Sequence, residues 1–191
     1  AAGGGRVEIT PGTTWVGPPG WVGRKVETGA GVAGGGEPVV EGRAGTVAEL
    51  VAELADYLIG KDPSAIEDHW TVLYRGGCYR GGAIHMSALA GIDQALWDIR
   101  GKALNVPVYQ LLGGPYDARG IRGYYHVEHT RTAEDLAQLR ETALKEGVSC
   151  LKIGLPDHDY EWIETNAKIN RAVKNMQRIR EGVGDSIDIA V

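Results

Sequence analysis

From Gly120 to its last residue, this 191-residue chain alternates short apolar runs with stretches of helical periodicity, and that alternation constrains the fold more than any other feature. Residues 121–127 predict a strand, 132–146 a helix capped by Thr132 and Asp135, 148–154 a strand, 160–181 a helix, and 186–191 a strand. A β-α-β-α-β run with a period of about thirty residues implies parallel pairing through right-handed crossovers, as in a doubly wound sheet or the opening of a barrel. A dinucleotide-binding sheet needs a Gly-x-Gly-x-x-Gly turn after its first strand, where bare amides can approach a phosphate. Here that turn reads His126-Val127-Glu128-His129-Thr130-Arg131, and the triple glycines at 3–5 and 34–36 do not join a strand to a helix. A barrel is the better expectation, and its chemistry would sit at the carboxyl ends of the strands: after Tyr125, around Lys152, and just past Val191.

Lys152 is the sharpest candidate there. A lysine ending a strand between Leu151 and Ile153 is expected to be partly desolvated, which lowers its pKa or obliges it to meet an anion, unless it snorkels from the rim. His126 and His129 could ligate a metal, but an extended segment does not bring residues three apart to one face, so two polar loop residues is the favoured reading.

The chain before residue 116 has a different character. Of the 29 glycines, 14 fall in residues 1–45, marking turns between short extended segments at 6–10, 20–28 and 32–40, with a hairpin turn at Thr28-Gly29-Ala30-Gly31. The 11–19 connection carries Trp15 and is expected to be a mobile loop. Thr46-Val47-Ala48-Glu49 reads as a capping box opening a helix that runs to Gly60, and Asp62-Pro63 as the start of a second, with Ile66, Trp70 and Leu73 as its apolar stripe. Residues 83–104 predict a third helix, apolar around most of its circumference and hence central, so Asp93 and Asp98 must find partners inside the fold.

Composition closes off several functions. The net charge is -5, and no basic block exceeds two residues, so the footprint of a nucleic-acid binder is missing. Cys78 and Cys150 stand far apart without ligand spacing, which argues against a disulfide framework or structural zinc and favours a reducing, cytoplasmic setting. No apolar run approaches the roughly 18 residues of a membrane span, and the Ala1-Ala2-Gly3-Gly4-Gly5 start lacks a signal-peptide layout. The expectation is a soluble protein with no nucleic-acid or membrane partner. The absence of phenylalanine has no physical account, although Cys78 and Val148 stand where an aromatic would pack naturally.

Three long motifs carry a resemblance. Tyr74-Arg75-Gly76-Gly77-Cys78-Tyr79-Arg80-Gly81-Gly82, the run from Met86 to Ile99 containing Ala90-Gly91-Ile92-Asp93-Gln94-Ala95-Leu96-Trp97-Asp98, and Pro107-Val108-Tyr109-Gln110-Leu111-Leu112-Gly113-Gly114 are similar to the mandelate racemase/muconate lactonizing enzyme family of the enolase superfamily. Gly36-Glu37-Pro38-Val39-Val40-Glu41-Gly42-Arg43 and the run from Asp56 to Pro63 resemble its sugar-acid dehydratases. The resemblance implies an α+β capping domain, residues 1–115, followed by the first β-α-β-α-β part of a (β/α)7β TIM-like barrel, residues 116–191. It also implies a lyase that uses Mg2+ and a small-molecule sugar acid, and a homo-oligomer when intact. Trp15, Glu41 and Arg43 fall at the positions of its substrate lid.

Two departures qualify that likeness. The family's racemases carry Lys-x-Lys on the second barrel strand, and an ungapped count places the first lysine at Lys152 and the second at Gly154. Lys152 is then an electrostatic partner of the substrate carboxylate, which suits one-base dehydration; the alternative register, Lys152-Ile153-Gly154-Leu155-Pro156, makes it the base and leaves racemisation or cycloisomerisation open. The family's metal acids end the third and later strands and are expected past Val191, so this stretch alone is expected to be inactive, as a fragment or as a short paralogue acting by binding.

Overall fold

Pro11 and Gly12 do not interrupt the first strand. The computed structural model describes residues 7–18, 20–115, 117–118, 120–127, 132–153 and 165–190, and the chain divides into two compact units, Ala1–Pro115 and Tyr116–Val191. In the first, β1 (Ile9–Gly17), β2 (Trp21–Thr28) and β3 (Ala33–Gly36) form an antiparallel sheet in that order.

The mobile 11–19 loop is thus corrected to strand as far as Gly17, with Pro19, like Arg6, outside the described residues. Three causes combine. β1 is an edge strand, where the missing Pro11 amide costs nothing. A register shift between Thr10 and Thr13 absorbs the irregularity, and there a Cβ on Gly12 would lie 2.0 Å from the Lys25 carbonyl oxygen. Thr13-Thr14-Trp15-Val16 then supplies β-branched and aromatic side chains that suit a pleated surface.

The helices are α1 (Ala44–Leu58), α2 (Ile66–Arg75), α3 (Ala83–Leu104) and the short α4 (Val108–Leu111). Thr46 does not cap α1. The helix opens earlier, the Arg43 carbonyl accepting from the Val47 amide at 3.0 Å, with no side-chain cap. Asp62-Pro63 likewise precedes α2 rather than starting it: the Asp62 carboxylate accepts the Ser64 amide at 2.8 Å and closes a separate turn. His69 is fully buried beside the expected stripe. Its Nε2 donates to the Asp62 carbonyl at 2.8 Å, so Nδ1 is left to accept from the Tyr57 hydroxyl at 3.3 Å.

α3 lies at the centre. Leu89, Ile92 and Leu96 are fully buried and join Val26, Leu58 and Ile66 in one core, each side chain contributing about 1.5–3 kcal/mol of burial. The sheet reaches this helix through glycine. A Cβ on Gly34 would fall 2.0 Å from the Ala95 carbonyl oxygen, and one on Gly36 would fall 1.9 Å from that of Gly91. The Asp98 carboxylate fastens the contact, accepting from the Gly35 amide at 2.9 Å and from Lys102 at 2.7 Å.

The second unit pairs β4 (Tyr125–Val127), β5 (Cys150–Ile153) and β6 (Asp188–Ala190) in parallel in that order, with α5 (Ala133–Lys145) and α6 (Asn166–Val183) as crossovers. Each strand is shorter than expected. Thr132 and Asp135 form the capping box of α5, each side chain accepting from the other's amide. Positions 160–164 of the expected second helix, together with His129, Gly154 and Val191, lie outside the described residues. Leu151, Ile153, Leu136, Ile179 and Val183 make the core between sheet and helices.

The glycine contact gives a direct test. Gly36→Ala should lower stability by about 2–3 kcal/mol in urea unfolding, because its Cβ meets backbone that cannot rotate away. Gly35→Ala, whose Cβ meets open space, should change it by less than about 1 kcal/mol.

Candidate functional site

Period-2 alternation sorts the second unit's sheet into two faces. Tyr125, Leu151 and Ile189 form one cross-strand row, Val127 and Ile153 the next, and both rows face α5 and α6. The row between them, His126, Lys152 and Ala190, therefore faces away from the helices.

Lys152 is exposed on that face, which corrects the expectation of a partly desolvated lysine: its apolar neighbours point to the opposite side of the sheet. Its Nζ lies 5.7 Å from the centroid of the Tyr124 ring. His126, also exposed, is its register partner on β4. At the amino end of the same face Arg122 spans two strands, donating to the Ser149 carbonyl at 2.9 Å and to the Asp188 carboxylate at 2.5 Å.

The first unit carries a cleft of about 500 Å³ near the turn end of the β1-β2 hairpin, walled by Trp15, Trp21 and Gln94, with Gly23, Gly35 and Glu37. The Trp15 ring rests on bare backbone, since a Cβ on Gly23 would lie 2.1 Å from it. Of the expected lid residues, only Trp15 lines this cleft. Glu41 and Arg43 are exposed in the turn between β3 and α1, where the Arg43 guanidinium donates to the Gly42 carbonyl at 2.7 Å.

Trp21, Glu37 and Gln94 were not singled out from the sequence. Gln94 and Glu37 stand inside the long motifs, and Trp21 shares a strand face with Gly23, so the signal lay in spacing rather than residue type. Arg24 was missed as well. It is buried in β2, where its guanidinium donates to the Thr14 hydroxyl at 3.0 Å, its Nε finds no partner, and burial depresses its pKa.

Asp93 and Asp98 divide. Burial opposes ionisation of Asp98, yet hydrogen bonds from Lys102 and the Gly35 amide outweigh it and hold the carboxyl below its ordinary range. Asp93 is pushed above that range, by burial and then by Glu67. Neither lines the Trp15 cleft. Among the described residues, no group of three or more His, Cys, Asp or Glu could hold a metal ion, and no helix is long and apolar enough to cross a membrane. Cys78 is exposed and Cys150 half-buried, both as free thiols, and the exposure of Cys78 overturns its expected packing position.

Residues 14–113 match the family model described as mandelate racemase/muconate lactonizing enzyme, N-terminal domain. The chain belongs to this family. Its first unit is accordingly the α+β capping domain found at the N-terminus of enolase superfamily members. A D-galactonate dehydratase of Klebsiella pneumoniae is 48% identical over 185 residues, a match covering 97% of this chain and 48% of that protein. A second, from Ralstonia nicotianae, is 46% identical over 192 residues with the same coverage. An enolase of Pantoea ananatis, solved with bound D-gluconate and Mg, superposes with a TM-score of 0.73 at 28% identity, covering 96% of this chain and 52% of that one. The chain thus spans about half the length of the curated relatives it matches.

The two aspartates predict opposite pH trends. A raised folded pKa means that Asp93 favours the folded state below its unfolded value, about 4, and that this contribution is lost as pH rises through the folded value. The Asp98 contribution is present above the unfolded value and is lost as pH falls through its lowered folded one. Urea midpoints from pH 3 to 7 should show Asp93→Asn gaining on the parent as pH rises and Asp98→Asn falling behind it. A constant offset for either would contradict its assignment.

Proposed function

We propose that this chain supplies the capping domain and the first strands of the barrel of an acid-sugar dehydratase, with D-galactonate as substrate. The observation that carries the reading is identity near one half, sustained across both units, to proteins named D-galactonate dehydratases. The reaction removes the proton alpha to the carboxylate and expels the beta hydroxyl as water, after which the enol tautomerises to a 2-keto-3-deoxy acid.

Each residue's role follows from its chemistry. Lys152 is the electrostatic partner of the substrate carboxylate: an ammonium near that group stabilises the extra charge that develops when the alpha proton leaves. An exposed lysine without a second lysine at residue 154 suits this role better than that of a base. Trp15, Glu41 and Arg43 are lid positions. Trp15 and Trp21 give the cleft apolar faces on which the C–H groups of a polyol can rest, while Glu37 and Gln94 can accept and donate to hydroxyls.

The family implies magnesium as the Lewis acid. The described residues do not fit such an ion, so its acids and the general base are assigned to barrel strands outside them, and no step is built on it here. On this proposal, the 191 residues by themselves do not turn over the substrate.

Joining this chain to the segment that follows the matched region in the Klebsiella pneumoniae enzyme should give a protein that forms a 2-keto-3-deoxy acid from D-galactonate only with Mg2+, while the 191 residues alone form none. Solvent deuterium entering the alpha position of both epimers without loss of water would replace dehydration with racemisation. Turnover by the short chain alone would refute its assigned inactivity.

A further inference from the structure

The uncovered face of the second unit's sheet has a charge asymmetry along its strands. Its described polar side chains run from Arg122, Tyr124, Cys150 and Asp188 at the amino end to His126 and Lys152 at the carboxyl end. The acid of this set, Asp188, is held by Arg122 at 2.5 Å. Lys152 has no carboxylate across the row, since its β6 register partner is Ala190. On the other flank stands His126, one strand spacing away, which is about 4.8 Å in a sheet.

We infer that His126 and Lys152 form a two-point site for the carboxylate of a hydroxylated acid, with His126 as a substrate-binding residue. The inference rests on the reading of Lys152 as the carboxylate partner and adds the second contact. The geometry suits a planar, two-oxygen group. A carboxylate spans about as much as one strand spacing with its hydrogen bonds, so one oxygen can accept from the Lys152 ammonium and the other from an imidazole N–H of His126. The Tyr124 ring, one row toward the amino end from His126, draws the ammonium toward the β4 side rather than out over β6. The location agrees with a general property of parallel sheets, which bind ligands beyond their carboxyl ends.

The test is a titration of the 191-residue chain with D-galactonate, followed by NMR at the backbone amides of Lys152 and Ile153, which survive replacement of either side chain. Galactitol, which keeps the hydroxyls but lacks the carboxylate, is the control. Saturable shifts are expected with D-galactonate and not with galactitol. Lys152→Met and His126→Phe should each weaken binding about tenfold, in line with loss of one charge-assisted hydrogen bond, with circular dichroism confirming the fold. Equal shifts with galactitol, the absence of saturable shifts, or unchanged binding by the His126→Phe variant would overturn the inference. The titration reads binding without turnover. Its failure therefore leaves the dehydration experiment free to succeed, and a failure of dehydration leaves carboxylate capture measurable.

Discussion

The close approach of β3 to α3 is the contact on which the first unit depends. A sheet normally stands about 10 Å from what it packs on, because side chains fill the gap. Here Gly34 and Gly36 remove them, and the strand meets the backbone carbonyls of Ala95 and Gly91 directly. The helix answers with a glycine of its own, since a Cβ on Gly91 would lie 2.5 Å from Pro38. Such a contact buries little apolar area and leaves polar backbone near an apolar helix. That is why Asp98 and Lys102 matter: they bond to the Gly35 amide and the Ala33 carbonyl, groups at the free edge of β3 with no further strand to pair with. Because β3 lies this low, Gly36-Glu37 and Gln94 meet at one end of the sheet and open the cleft beside Trp15.

The second unit solves a different problem. Its strands are three or four residues long and bury only one face. Arg122 compensates at the amino end by tying β5 to β6, while the Arg180 guanidinium bonds the carbonyls of Gly184 and Ile187 and fixes the exit of α6. Both devices lie away from the carboxyl end. The side chains there are left unneeded for holding the sheet together, which is the condition for using them in binding.

How much of this was legible followed from the strength of the local signals. α3 runs over the predicted 83–104 because apolar residues on nearly every side leave one burial solution, and the capping box of α5 was readable because Thr132 and Asp135 satisfy each other without outside help. The misreadings share a cause. Pro11-Gly12, Thr46-x-x-Glu49 and Asp62-Pro63 are punctuation whose meaning depends on what the backbone meets elsewhere: an edge strand, an earlier turn at Arg43, a buried His69 that takes the Asp62 carbonyl. Lys152 was placed on the correct strand but given the wrong environment, since the identity of its neighbours says nothing of the face they occupy until the register with β4 and β6 is known. Trp21, Glu37 and Gln94 come together only because β3 sits on α3, a consequence of glycines that carry no chemistry.

The two units also differ in the sign of charge their candidate sites present. Among the described residues, the cleft of the first unit is lined by one carboxylate, Glu37, and by no cation. A ligand carboxylate placed there would meet a like charge in a partly enclosed space, where screening is weaker than in open water. Hydroxyls and C–H faces would be welcome in the same place. Among the described residues, the carboxyl end of the second unit presents the reverse, an ammonium and an imidazole, with Asp188 on the same face bound to Arg122. Substitutions around Trp15 and Trp21 therefore probe apolar and hydroxyl contacts within the first unit, whereas those at Lys152 probe charge within the second.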